Sequence, residues 1–541
     1  MQTAVVNAKV YVRDGQFESA LLIENGVIAA VGSDEAIKER VGKGARVVDA
    51  GGRLVLPGMN DSHQHLFCIG QDLATLDLRG ARSIDEIVDR GRRFIEENPG
   101  SRGGICASGW NQDYFTGEKR VLNRFDLDRI STEIPLYFTR ICCHIAAANT
   151  AALQKAGITG DTTQPEGGHF GLSPDGTPDG VLHERALEMV ERIIPPVDEE
   201  TWLHRVQKAA QYAVSVGLTS VQSNDVGQGQ IDGALAFRVI NRLHQSGRLP
   251  VRYRHQLAFY SGEAFRTYLE HEYRPQGNDG RLAVGPLKLF KDGSLGARTA
   301  LMRQDYCDDP GNRGLETISD AEMDEMCALA QKHGMQVITH VIGDGAIEKT
   351  LNAYEKVLAG GPNTLRHGLV HCQITDRPQL ERIARMGILT LAQPVFLHYD
   401  SHIVESRVGR ALAQTSYAFR TLSELGSPVS FGSDSPVEDC NPFPGIAAAV
   451  NRTDPDGFPQ GGYVPGERMT VAQAVDCYTV GSAYAEFCEE KKGRLLPGYW
   501  ADLIVVDRDI FSVAPCEIGK TRVLMTMTGG DIVYTAADFD A

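Results

Sequence analysis

Leu54-Val55-Leu56-Pro57-Gly58-Met59-Asn60-Asp61-Ser62-His63-Gln64-His65 is the stretch that decides the fold of this chain. An apolar run ends in two histidines spaced two apart. Residues i and i+2 of a strand point to one side, so both imidazoles can bind one ion. Four further residues repeat the pattern of a chemically active group at or near the end of a short apolar run. His340 closes 336–340, His371 closes 368–371, Asp434 follows 429–433, and Lys288 lies within 285–290. Histidines and a carboxylate at strand ends predict a metal site. The set points to a metal-dependent hydrolase on a barrel of parallel strands.

Working outward, the middle of the chain alternates strand-like runs with helical stretches, as βαβ units do. Eight runs qualify: 54–61, 218–223, 251–259, 284–290, 335–341, 366–372, 388–393 and 428–433. Eight such strands are what a closed (β/α)8 TIM barrel requires. The first two are separated by far more chain than a βα connection uses. Residues of about 72–200 are therefore read as an insertion after the first strand, beside the predicted catalytic face. Residues 1–58 and 490–541 alternate short β-like runs with turns, Asn25-Gly26 and Gly529-Gly530 among them. The two ends predict one small β-sandwich formed by both termini. The predicted division is 1–58, then a barrel domain over 59–489, then 490–541.

Composition narrows the classes. The chain has 541 residues, 42% hydrophobic and 23% charged, and a net charge of −16. That charge argues against nucleic-acid and anionic-membrane partners. No apolar run is long enough to span a bilayer, and the first residues read as a strand rather than a signal peptide. Eleven cysteines without framework spacing predict free thiols and a cytoplasmic setting. The neighbours Cys142-Cys143 read as small buried residues, with a redox role as the alternative. A small molecule is the expected partner, and a homo-oligomer is left open.

Each candidate also has a plain structural reading. Lys288 could pair with a carboxylate such as Asp292. Alternatively, burial deprotonates its amine, which then adds carbon dioxide to give a carbamate able to bridge two metals. Lys291 falls on the opposite face of the same strand. His340 and His371 could be hydrogen-bonded core histidines, but both close strands on the predicted catalytic face. His367, four residues before His371, is expected deeper and structural. Asp434 could cap a helix or start a turn before Ser435-Pro436. As a site residue it is a metal ligand that accepts the proton of the attacking water.

These residues, in this order, resemble the amidohydrolase superfamily, and within it the YtcJ-like branch that includes N-substituted formamide deformylases. The resemblance is carried by 56–65, 288–300, 340–344, 432–437 and 498–503. It implies a binuclear centre of divalent metal, most simply Zn2+. His63 and His65 would hold one ion with Asp434, His340 and His371 the other, and carboxylated Lys288 would bridge. It also implies that the insertion covers the site. Trp110-Asn111-Gln112, His144, Asn149 and the Gly167-Gly168 turn fall in family-like positions. Trp110, His144 and Arg298 are the candidate substrate contacts. Two departures concern the substrate: Val370 stands where the family often has an acidic residue, and Cys142-Cys143 precede His144.

The leading reading is hydrolysis of an amide-type C–N bond, as in an N-acyl or N-formyl compound, by a metal-activated hydroxide. The alternative is a metal-dependent deaminase. Such enzymes usually carry an acid/base glutamate near the fifth-strand histidine, where this chain has Gly343-Asp344 and, further on, Glu348. A non-catalytic binding homologue is the remaining class, and it would be expected to have lost ligands.

Overall fold

The computed structural model describes residues 2–98, 103–140, 145–165, 168–184, 186–193, 197–226, 232–259, 261–272 and 280–540. Eight parallel strands form the central sheet: β1 (Met59–Gln64), β2 (Leu218–Val226), β3 (Arg252–Leu257), β4 (Leu282–Phe290), β5 (Val337–Val341), β6 (Gly368–His371), β7 (Leu389–Ala392) and β8 (Val429–Phe431). They are hydrogen-bonded in sequence order, β1 to β8. Helices over Gly233–Gln245, Gly262–His271, Asp320–Lys332, Asp344–Leu358 and Arg377–Arg385 separate the strands from β2 to β7. This is the (β/α)8 barrel that the apolar runs predict. β4 to β8 read as mainly apolar because a parallel sheet is covered on both faces, whereas β1, β2 and β3 carry buried polar side chains.

The remaining seam joins β8 to β1. The Asp434 N–H donates to the His63 carbonyl at 2.8 Å, and the His65 N–H donates to the Ser435 carbonyl at 2.9 Å. Asp61 clasps the same seam, accepting from the Ser433 hydroxyl at 2.5 Å and from the Ser433 and His63 N–H groups. A Cβ on Gly432 would lie 2.6 Å from the Asp61 carboxylate and 2.8 Å from the His63 nitrogen. Only glycine lets the two strand ends come this close. Barrel closure therefore brings His63, His65 and Asp434 together.

The first predicted strand divides in two. Leu54–Pro57 pairs with Leu503–Val506 in the terminal sheet, and the barrel strand begins at Met59. That terminal sheet has six strands drawn from both chain ends, and a four-stranded sheet from residues 2–49 joins it. Val5, Leu21, Val55, Leu503 and Met525 share one core, so the two ends form one β-rich body.

The floor of the barrel is built by residues 477–492. Ile338, Val370, Leu389 and Leu391 pack on Ala485 along one side. The other side is polar. Asn60 donates to Glu486 at 2.6 Å, Gln222 donates to the Ser482 carbonyl at 2.9 Å, and Lys492 meets Glu486 at 2.5 Å and Ser220 at 2.7 Å. Both charged side chains are buried, so the pair is costly to break. Lys492→Met is expected to cost about 3–5 kcal/mol by stranding Glu486. The double change Lys492→Met with Glu486→Leu is expected to recover most of that loss. Chemical denaturation of the two variants checks both expectations.

Residues Ile69–Arg205 form a separate compact unit. Its six-stranded sheet includes Ile105–Trp110, Leu136–Arg140, Ile145–Ala148 and Pro178–Glu184. Trp110 and Phe138 lie in its core. Among the described residues no helix is long and apolar enough to cross a membrane.

Candidate metal centre

The carboxyl ends of β1, β4, β5, β6 and β8 deliver the predicted set to one place. One ligand atom each from His63, His371 and Asp434 lies within 4.8 Å of the others. Asp434 Oδ1 stands 3.3 Å from His63 Nε2 and 3.1 Å from His65 Nε2. Ring centroids lie 5.8 Å apart for His63 and His371 and 4.5 Å apart for His340 and His371. Four imidazoles and a carboxylate thus form one connected cluster, with His63, His371 and Asp434 at its centre. His371 and Asp434 both adopt left-handed backbone, with φ of 72° and 58°. Non-glycine residues seldom do so, and such strain collects at functional sites.

The lone pairs are oriented. His63 Nδ1 contacts Gln256 Oε1 at 2.6 Å, His65 Nδ1 the Asn224 carbonyl at 2.7 Å, and His371 Nδ1 Gln393 Oε1 at 2.7 Å. Each acceptor requires Nδ1–H, which turns the unprotonated Nε2 of His63 and His371 inward, while His65 Nε2 donates to Asp434 Oδ1 at 3.1 Å. His340 is turned the other way, with Nε2 donating to the Gly293 carbonyl at 3.0 Å. Metal-binding histidines have this arrangement, one nitrogen held by an acceptor and the other open.

Lys288 is buried on β4, and its charge acts on His63, His340 and His371. Its Nζ has no hydrogen-bond partner and sits 3.8 Å from the Phe290 ring centroid. Burial pushes its amine down to about 7. The Asp292 pairing does not form. Asp292 instead accepts from the Leu301, Ile342 and Gly343 N–H groups and braces the loop after β4. Lys291, on the opposite face, binds Glu316 at 2.5 Å and Asp320 at 2.6 Å. Burial also pushes His371 down to about 4, and His63 and His340 well below the usual imidazole range. Burial works against an ionised Asp434, but the hydrogen bond to His65 and the neighbouring imidazoles outweigh it and hold the carboxyl far below its ordinary range. The donor set fits a divalent cation: His63, His340 and His371 held neutral by burial, an ionised Asp434 whose hydrogen bond and charge raise the pKa of His65 against its burial, and a buried amine with no hydrogen-bond partner.

The other predicted residues fall elsewhere. His367 accepts from the Val337 N–H at 3.0 Å and meets Gln331 at 2.8 Å, so it braces β5 and β6. Trp110 is 0% exposed and donates to the Phe138 carbonyl at 3.1 Å. In this structure its ring packs in the core of the Ile69–Arg205 unit rather than facing an open surface. The Arg298 guanidinium is committed to Asp308, at 3.0 and 3.1 Å. His144, Cys142-Cys143 and Gly167 lie outside the described residues. Sequence reasoning missed Gln256, Gln393, Asn224 and Asp61. Their only signal was polarity inside buried strands or at their ends.

A parallel eight-stranded barrel with this donor set at its carboxyl end defines a metal-dependent hydrolase. The chain belongs to the amidohydrolase family, which residues 46–534 match. It falls in the YtcJ-like branch of that family. Putative amidohydrolase YtcJ of Bacillus subtilis (strain 168) is 33% identical, over 96% of this chain and 97% of its own length. The N-substituted formamide deformylase of Arthrobacter pascens is 27% identical, over 98% of both chains. Among solved structures, an uncharacterized metal-dependent hydrolase from Pyrococcus furiosus superposes with a TM-score of 0.76 at 30% identity. That match covers 95% of this chain and 100% of the other.

Proposed function

We propose that this chain hydrolyses the C–N bond of a small amide-type compound, an N-formyl or N-acyl amine, with zinc as its metal. The observation that carries the reading is the cluster of His63, His371 and Asp434, with His65 on Asp434 and His340 against His371, together with a buried Lys288 amine that has no hydrogen-bond partner. The bond type is taken from the Arthrobacter pascens relative, named as acting on N-substituted formamides. His63, His65 and Asp434 would hold one ion, and His340 and His371 a second. Lys288 would bridge them as its carbamate. Burial favours the neutral amine, which is the form that adds carbon dioxide. When bound, the metal supplies water activated near neutral pH and a Lewis acid for the carbonyl. Asp434 takes the proton of the attacking water and passes it to the departing nitrogen.

The placement of the two carboxylates that follow His340 favours hydrolysis over the deaminase alternative. Glu348 is 48% exposed and lies 3.9 Å from Arg303, and Asp344 is tied to Arg303 at 2.7 Å. Asp344 is held by Arg303, and Glu348 is exposed, with no contact to His340 among the described residues.

The test is a panel of N-formyl and N-acyl amines offered to zinc-loaded protein. Release of amine and carboxylate from at least one member is expected. Ammonia without carboxylate would instead establish the deaminase. Gently purified protein should carry at least about one equivalent of divalent metal, as the donor set requires. Chelation should remove turnover and zinc should restore it. Full activity in metal-free protein would overturn the reading.

A further inference from the structure

We infer that Gln256 and Gln393 are positioning residues that fix the tautomers of His63 and His371, so that both Nε2 lone pairs point at one metal site. The inference rests on the proposed metal reading. Gln256, on β3, serves the histidine of β1, and Gln393, just after β7, serves the histidine of β6. Both amides are buried, at 0% and 2% exposure. Each amide is itself held. Gln256 Nε2 donates to the Ser62 carbonyl at 3.0 Å, and Gln393 Nε2 donates to the Leu391 carbonyl at 3.2 Å. Reversing either amide would set oxygen against oxygen at the carbonyl and nitrogen against the ring. The amide oxygen therefore faces Nδ1, and Nδ1 must carry the proton. An imidazole neutral at Nε2 is the form that ligates a cation.

Gln256 also reaches the second histidine of the pair. Its backbone carbonyl accepts from Asn224 Nδ2 at 3.1 Å, and the Asn224 carbonyl holds His65 Nδ1. One residue of β3 thus sets His63 directly and steadies the peptide that sets His65. Both acceptors are neutral amides rather than carboxylates. They orient the rings without adding negative charge to a site that already holds Asp434.

The experiment compares Gln256→Leu, Gln256→Glu, Gln393→Leu and Gln393→Glu with the unaltered protein. Zinc ion affinity is measured by competition with a chromophoric chelator, and Tm is measured on metal-free samples. Leucine keeps the volume but removes the acceptor. Each leucine variant is expected to bind zinc about 10–100-fold more weakly, as loss of an orienting partner does. Glutamate keeps an acceptor for Nδ1–H but sets its other oxygen against the Ser62 or Leu391 carbonyl. The glutamate variants are therefore expected to lose Tm yet hold zinc at least as tightly as leucine variants of equal or higher Tm. Unchanged zinc affinity in the leucine variants would overturn the inference, and so would affinity that simply follows Tm across all four. Unaltered protein that binds no zinc would overturn the metal reading itself.

Discussion

Asp434→Asn is expected to lower kcat by about 10²–10⁴ while leaving the fold and bound metal in place, the range typical of losing a general base. Asparagine keeps the size of aspartate and one oxygen able to coordinate, but it cannot take a proton at neutral pH. The position is fixed on three sides. The Asp434 N–H is tied to the His63 carbonyl, its carboxylate touches His63 and His65, and its φ of 58° sets the direction of the side chain. Asparagine tolerates the left-handed region nearly as well as aspartate, so backbone strain is held constant. The measurement is kcat on the best substrate of the panel, with zinc content and Tm on the same sample. Unaltered kcat with zinc bound would move the proton-transfer role elsewhere. His398, partly buried on the loop after β7, would be the next residue to replace.

The second large effect belongs to Lys288. Lys288→Met is expected to reduce kcat by about 10²–10³, comparable with removing one preorganised electrostatic group. The same change should raise the Tm of metal-free protein. A buried amine without a partner costs stability, and methionine fills similar volume without a polar atom. The Phe290 ring, 3.8 Å from Nζ, offsets only part of that cost. A site residue retained against stability is one whose chemistry matters. In Lys288→Ala the freed volume admits a small anion, so short carboxylic acids should restore part of the activity. Density at Nζ in a metal-loaded crystal should show the added carboxyl group. A plain ammonium there, or a Lys288→Met protein with full turnover, would remove the bridging role.

The sequence by itself determined the barrel and singled out the side chains that the structure gathers at its carboxyl end. Most of the strands lie in or beside short apolar runs whose character is local, and each candidate ligand lies in or just after a strand, where alternation fixes its side. His63 and His65 were legible because two positions along one strand share a face. The opposite faces of Lys288 and Lys291 were legible for the same reason. Tertiary structure alone decided what depends on partners distant in the chain. Leu54–Pro57 looks like the start of the first barrel strand, yet it is taken by Leu503–Val506, because hydrogen-bonding edges are allotted by the fold and not by the run. Trp110 looks like a contact residue, yet it fills a core, because enclosure depends on what packs around it. The barrel seam rests on Asp61 reaching Ser433, and the choice of nitrogen on His63 and His371 rests on Gln256 and Gln393. A histidine in a sequence has two equivalent candidates for the proton. Only a neighbour brought from another strand breaks that tie.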